Sequence, residues 1–259
     1  MIRLRRDAVD SPSSHPPLRL KYVEAVLSIG FALTFIAWTR LSAPGPLAPN
    51  ADPSSSGGPF GLDLLLPAPV AYPRSAAGQL AEAFAILTHP LIVLAVTAAW
   101  VVYAYISRMR RLSVSLAIAA TGIPVQFLIA LHLARPTPGA TFTDSIAAFA
   151  HAYPNAHITA MTLASWVLVT LARAHHRSTM VAAGTVLGYA AVVMTAVSQW
   201  YMGLATLSDL IGGFLLGAAF ANLALWVGGI DAILTSWVNR RLSRASSEKR
   251  AAVIYNPTK

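Results

Sequence analysis

The chain contains no cysteine. Disulfides, thiolate nucleophiles and Cys-based metal sites are therefore excluded. Charge is also scarce. Only 11% of the 259 residues are charged, against roughly 25% in soluble domains. Acidic residues are the scarcer sign, with 10 Asp and Glu against 19 Lys and Arg. No histidine follows His176, so the C-terminal part of the chain has no imidazole to act as base or nucleophile. What fills the sequence is apolar: 56% of it is hydrophobic and the mean hydropathy is +0.58.

The apolar residues come in blocks of bilayer-crossing length, about 20 residues each. Six are read, near 22–39, 85–106, 114–134, 158–174, 180–201 and 208–229, the fourth being the shortest. The fold class expected is all-α, a polytopic bundle of six transmembrane helices. The first block is read as a retained helix and not a cleaved signal. The polar tail before it, with "SPSSHPP", is long and the apolar stretch exceeds an ordinary h-region.

The net charge of +9 raises nucleic acid as a partner, but the placement of the charges argues against it. Lys and Arg cluster at 3, 5, 6, 19 and 21, at 108, 110 and 111, at 173 and 177, and at six positions from 240 to 259. In a six-span chain these 16 share one side, leaving Arg40, Arg74 and Arg135 on the other. This is the positive-inside bias. It implies a multi-pass protein of the cell membrane with both termini in the cytoplasm, and no nucleic-acid partner.

Residues 1–21 read as a basic cytoplasmic tail, and 22–229 as the membrane domain. Within it, 42–79 is a long extracytoplasmic connection with eight prolines between 44 and 73. Proline fixes φ and removes a donor, so regular structure is not expected through most of it. Its run "GLDLLL" is read as lying on the membrane surface. Spans five and six must turn tightly near 202–207. Gly213 and Gly217 stand at GxxxG spacing, which permits close helix approach. Residues 230–248 form an amphipathic basic linker, and 249–259, with the β-branched run "AVIYNP", read as the first strand of a soluble domain.

The polar groups on the outer side fall in two places. Arg135 and Pro136 end the third span, and Pro154-Asn155-Ala156-His157 opens the fourth. "SQWYMGLATLSD", residues 198–209, joins the fifth and sixth. Helix N-termini attract anions, and an arginine suits a phosphate. Arg135, His157 and Asp209 are expected to converge on one outward-facing pocket. His89, His132 and His151 are also near that face, but no spacing makes them a metal site.

The order "RP … YPNAH … SQWYMGLATLSDLIGG" resembles the type 2 phosphatidic acid phosphatase superfamily over roughly 80–225. Its members are six-helix membrane phosphatases with motifs K-x6-R-P, P-S-G-H and S-R-x5-H-x3-D. The resemblance implies a phosphate held by Arg135, Asn155, Ser198 and Gln199. It makes His157 and Asp209 the vestiges of the catalytic set, as leaving-group acid and orienting carboxylate. It implies no metal and no cofactor.

The departures from the family's pattern bear on activity. Leu128 stands where the lysine belongs, Gln199 replaces the arginine and Ala205 replaces the nucleophilic histidine. A methyl group offers no lone pair to phosphorus, and two of three cationic phosphate ligands are gone. The expected function is a membrane protein that binds a lipid phosphate headgroup, with phosphatase activity lost or impaired. The alternatives are a working lipid phosphatase with a rearranged site, and a lipid transporter or membrane scaffold. The combined change Leu128→Lys, Gln199→Arg and Ala205→His is expected to gain turnover if the pocket has kept the family's shape. The closing "AAVIYNPTK" is similar to the start of a diacylglycerol kinase-type domain. That similarity implies a lipid-kinase domain or partner on the cytoplasmic side.

Overall fold

A computed structural model describes residues 18–42, 63, 73–135, 137, 145, 148–149, 151–174 and 178–228. The expectations for 1–17, 230–248 and 249–259, and for most of 42–72, lie outside the described residues. The described residues form helices and their connections. In chain order these are α1 (Leu18–Ser42), α2 (Ala76–Leu87), α3 (Pro90–Ile106), α4 (Arg110–Leu133), α5 (Ala156–Ala174), α6 (Ser178–Tyr201) and α7 (Leu207–Gly228). α1 begins at Leu18, inside the expected tail.

Five helical stretches are long and apolar enough to cross a membrane: Val23–Ser42, Ala76–Ile106, Arg110–Leu133, Thr179–Tyr201 and Leu207–Val227. The second combines α2 and α3. The fourth expected span falls on α5, whose apolar part, Ala156–Thr170, is shorter. Large apolar side chains face outward along α1, α3 and α6, among them Val26, Ile36, Val102, Tyr105, Val186 and Tyr189. Water would penalise such faces, whereas lipid solvates them at no cost.

The second expected span is broken at Thr88 and His89. α2 starts within the tail end of the 42–79 connection, where Ser75 caps it by accepting the Gly78 N–H at 3.0 Å. Its last turn closes at Thr88. Pro90 then opens α3, a position that needs no N–H donor, and the His89 side chain accepts the Leu91 N–H. The sequence signal for the break is the His-Pro pair.

α7 is the packing centre, in contact with α1, α4 and α5. Its glycines explain how. A Cβ on Gly213 would come within 2.5 Å of the Asn155 carbonyl oxygen, and one on Gly217 within 2.8 Å of the Thr162 Cβ. The GxxxG pair therefore presses α7 onto the backbone of α5, and the Thr159 hydroxyl lies 3.1 Å from the Gly213 carbonyl. α1 is fastened to α7 by polar bonds: Ser28 donates to the Ala219 carbonyl at 3.1 Å and the Trp38 indole to the Ser208 carbonyl at 3.0 Å. In lipid, where apolar burial drives little, such close contacts and hydrogen bonds hold helices together.

Candidate functional site

One end of the bundle gathers the end of α1, the end of α4 and the starts of α5 and α7. Main-chain bonds join them: the Ala152 N–H donates to the Arg135 carbonyl at 2.9 Å, and the Asn155 N–H to the Asp209 carbonyl at 3.1 Å. The turn between α3 and α4 lies at the opposite end and carries Arg108, Arg110 and Arg111.

Arg135 owes its position to the residue before it. α4 ends at Leu133, and Ala134 takes a left-handed conformation, φ 50°. That swings Arg135 off the helix and across the bundle end. Its guanidinium pairs with Asp63 at 3.0 Å and with Asp209 at 3.2 Å. It also donates to the Ser208 hydroxyl at 3.0 Å and to the Ser42 carbonyl at 3.4 Å. Asp63 in turn accepts the Ser208 main-chain N–H at 2.9 Å and the Ser208 hydroxyl at 2.7 Å. Asp63 therefore points into the bundle end; its neighbours in "GLDLLL" lie outside the described residues.

Asp209 is fully buried in the first turn of α7. Its Oδ2 accepts the N–H and the hydroxyl of Thr206, each at 2.8 Å, in the manner of a capping box. Its Oδ1 has no hydrogen bond among the described residues and faces the guanidinium of Arg135. The turn that delivers this segment, 202–206, is as tight as expected. Gly203 takes φ 70°, a conformation that glycine adopts without strain.

His157 keeps different company. It is fully buried in the first turn of α5, and its ring finds a backbone partner at Ala85 and no side-chain partner among the described residues. Its ring contacts are His89, centroids 5.6 Å apart, and Phe149, 5.4 Å apart. The structure thus joins Arg135 to Asp209 and turns His157 toward the break between α2 and α3.

The remaining candidates have local tasks. Asn155 caps α5, its Oδ1 accepting the Ile158 N–H at 3.0 Å, and its amide lies 3.4 Å from the Gln199 oxygen. Among the described residues the Gln199 nitrogen has no partner. Ser198 donates to the Ala81 carbonyl at 2.7 Å and so ties α6 to α2. Ala205 is packed in an apolar cluster with Ile158, Leu210 and Trp200. Leu128 is 66% exposed on the outward side of α4. In the same part of α4 Gln126 points inward, where it is buried and donates to the Pro154 carbonyl at 2.6 Å.

Asp63, Ser208 and Gln126 were not candidates from sequence. Asp63 carried a weak signal, a lone acid in an apolar run. Tyr153 is a further buried member of this end. It stacks on Phe35 and bonds the Thr39 hydroxyl at 2.6 Å. Burial pushes its phenol up to about 12, so the hydroxyl keeps its proton. Arg135 is not among the lining residues of the bundle's described cavities. One of ≈ 440 Å³ runs between α2, α3, α5 and α6 with mostly apolar walls such as Phe84, Trp100 and Met161. Among the described residues no group of three His, Asp or Glu is arranged to hold a metal. No family model, curated protein or solved structure matches the chain.

Proposed function

We propose that the chain is a membrane protein that binds the phosphate headgroup of a lipid at the Arg135 end of the bundle without hydrolysing it. The observation that carries this reading is the convergence of a guanidinium, a hydroxyl and a main-chain N–H on a single anion, the carboxylate of Asp63. These are the donors that phosphate oxygens take. The two positions where the family carries its histidines support binding without hydrolysis. Ala205 is enclosed by apolar side chains, and His157 is occupied with His89 and Phe149. Neither supplies a nucleophile beside Arg135.

The motif order shared with the type 2 phosphatidic acid phosphatases supports a lipid phosphate as the ligand. The positive-inside bias supports an outer-leaflet site in the cell membrane, with both termini in the cytoplasm. The test uses the purified chain in phosphatidylcholine nanodiscs containing phosphatidate or polyprenyl phosphate. The expected result is saturable binding with phosphate release at the protein-free background. Turnover abolished by His157→Ala would replace this reading with a rearranged phosphatase.

A further inference from the structure

The donors at Arg135 are already in use. Arg135 Nη2, the Ser208 N–H and the Ser208 hydroxyl all contact the carboxylate of Asp63, at 3.0, 2.9 and 2.7 Å. The side chains of Arg135 and Asp63 are 12% and 7% exposed, so these contacts are screened from water. Asp63 is distant in sequence from both partners, 72 positions from Arg135 and 145 from Ser208. Its place is therefore a tertiary choice and not local turn chemistry.

The two carboxylates beside Arg135 are held differently. Asp209 is bonded within its own helical turn to Thr206 and is fully buried. Removing it would undo the start of α7. Asp63 has its described contacts on other elements, and each is a donor that a phosphate oxygen can accept from. With Asp63 in place, one guanidinium faces two carboxylates, and an incoming anion meets filled donors and repulsion. With Asp63 withdrawn, Arg135 Nη2 and the Ser208 N–H and hydroxyl lose their carboxylate, while Asp209 still holds Arg135 through Nη1.

We propose that Asp63 is an internal competitor, a tethered carboxylate that occupies the anion seat and must be displaced by the phosphate of an incoming lipid. This rests on the lipid-phosphate reading of the site and adds its regulation. The exchange makes and breaks hydrogen bonds and ion pairs only. Affinity in the native chain is then the difference between a phosphate and a carboxylate in the same seat. That difference is smaller than the seat's own affinity by the worth of the Asp63 contacts.

The experiment measures phosphatidate binding to the full chain in phosphatidylcholine nanodiscs, for the native protein, Asp63→Asn and Asp63→Ala. Both variants are expected to bind about 10- to 100-fold more tightly, the worth of one charge-assisted contact. Adding Ser208→Ala to either should reverse most of the gain. Inorganic phosphate should compete only weakly; competition equal to phosphatidate's would assign the seat to the free anion. Native binding with folded variants that bind no tighter overturns the competitor and leaves the lipid-phosphate reading standing. Absence of phosphatidate binding in all three overturns both. Loss of the fold in both variants makes Asp63 a structural strut and also overturns the competitor.

Discussion

Arg135 carries the electrostatics of its end of the bundle. It is the described cation between Asp209, which is fully buried, and Asp63, whose side chain is 7% exposed. Removing one member of a buried ion pair strands its partner and typically costs about 3–5 kcal/mol. Arg135→Gln should therefore lower stability by that order, read as a fall in the unfolding midpoint in detergent. Pairing it with Asp63→Asn should recover part of the loss, since one stranded charge is then gone. His157 predicts the opposite. Its buried ring packs on His89 and Phe149 and bonds no described side chain, so an apolar side chain of similar size keeps the packing and sheds a buried polar group. His157→Leu should leave the midpoint unchanged or raised and should not alter lipid-phosphate binding. A large loss of either would show that the imidazole has a partner or a task at the site.

The helices set what each motif residue can reach. In α4, seven positions separate Leu128 from Arg135, nearly two helical turns, and one face would hold both if the helix continued. It ends at Leu133, and the left-handed Ala134 redirects Arg135 while Leu128 faces outward. A lysine at 128 would project into the surroundings of the bundle. Leu128→Lys with Gln199→Arg and Ala205→His is thus expected to leave phosphate release at background, against the expectation from motif spacing alone. In α7 the critical residue is Gly213. A methyl group there meets the Asn155 carbonyl, a backbone atom at the cap of α5 that cannot step aside cheaply. Gly213→Ala should cost about 1–3 kcal/mol through overpacking. It should also loosen the bond from the Asn155 N–H to Asp209. Unfolding midpoints of Gly213→Ala and of Gly30→Ala, where a Cβ meets nothing within 4 Å, give the comparison.

At the scale of the whole molecule, the charge distribution and the fold agree on two unlike ends. Arg108, Arg110 and Arg111 lie at the α3–α4 turn, while Arg135 lies at the other end, paired with acids. In the proposed topology the first end faces the cytoplasm. The lack of native cysteine makes this directly measurable. Ser55→Cys should react with an impermeant thiol reagent on intact cells and Ser246→Cys should not. The reverse pattern would invert the protein and move the Arg135 site to the inner leaflet.

Hydropathy alone was enough for a helical membrane chain, because a bilayer demands about 20 apolar residues per crossing and satisfies backbone polar groups only within helices. The tight turn before α7 was legible for the same local reason, a short polar interval with a glycine. The break at His89-Pro90 was legible in principle, since proline opens a helix, but a continuous apolar run concealed it. The candidate site was legible only in part. Arg135 and Asp209 stood out because charge next to a membrane span needs a partner. Which partner each takes depends on contacts between residues far apart in the chain. Asp63 reaches Arg135 across 72 positions, His157 turns to His89, and Gln126 rather than Leu128 faces inward. Sequence spacing reports which residues share a helical face. Only the packing of α1, α4, α5 and α7 decides which faces meet, because that choice rests on glycine contacts and on a single left-handed residue at the end of α4.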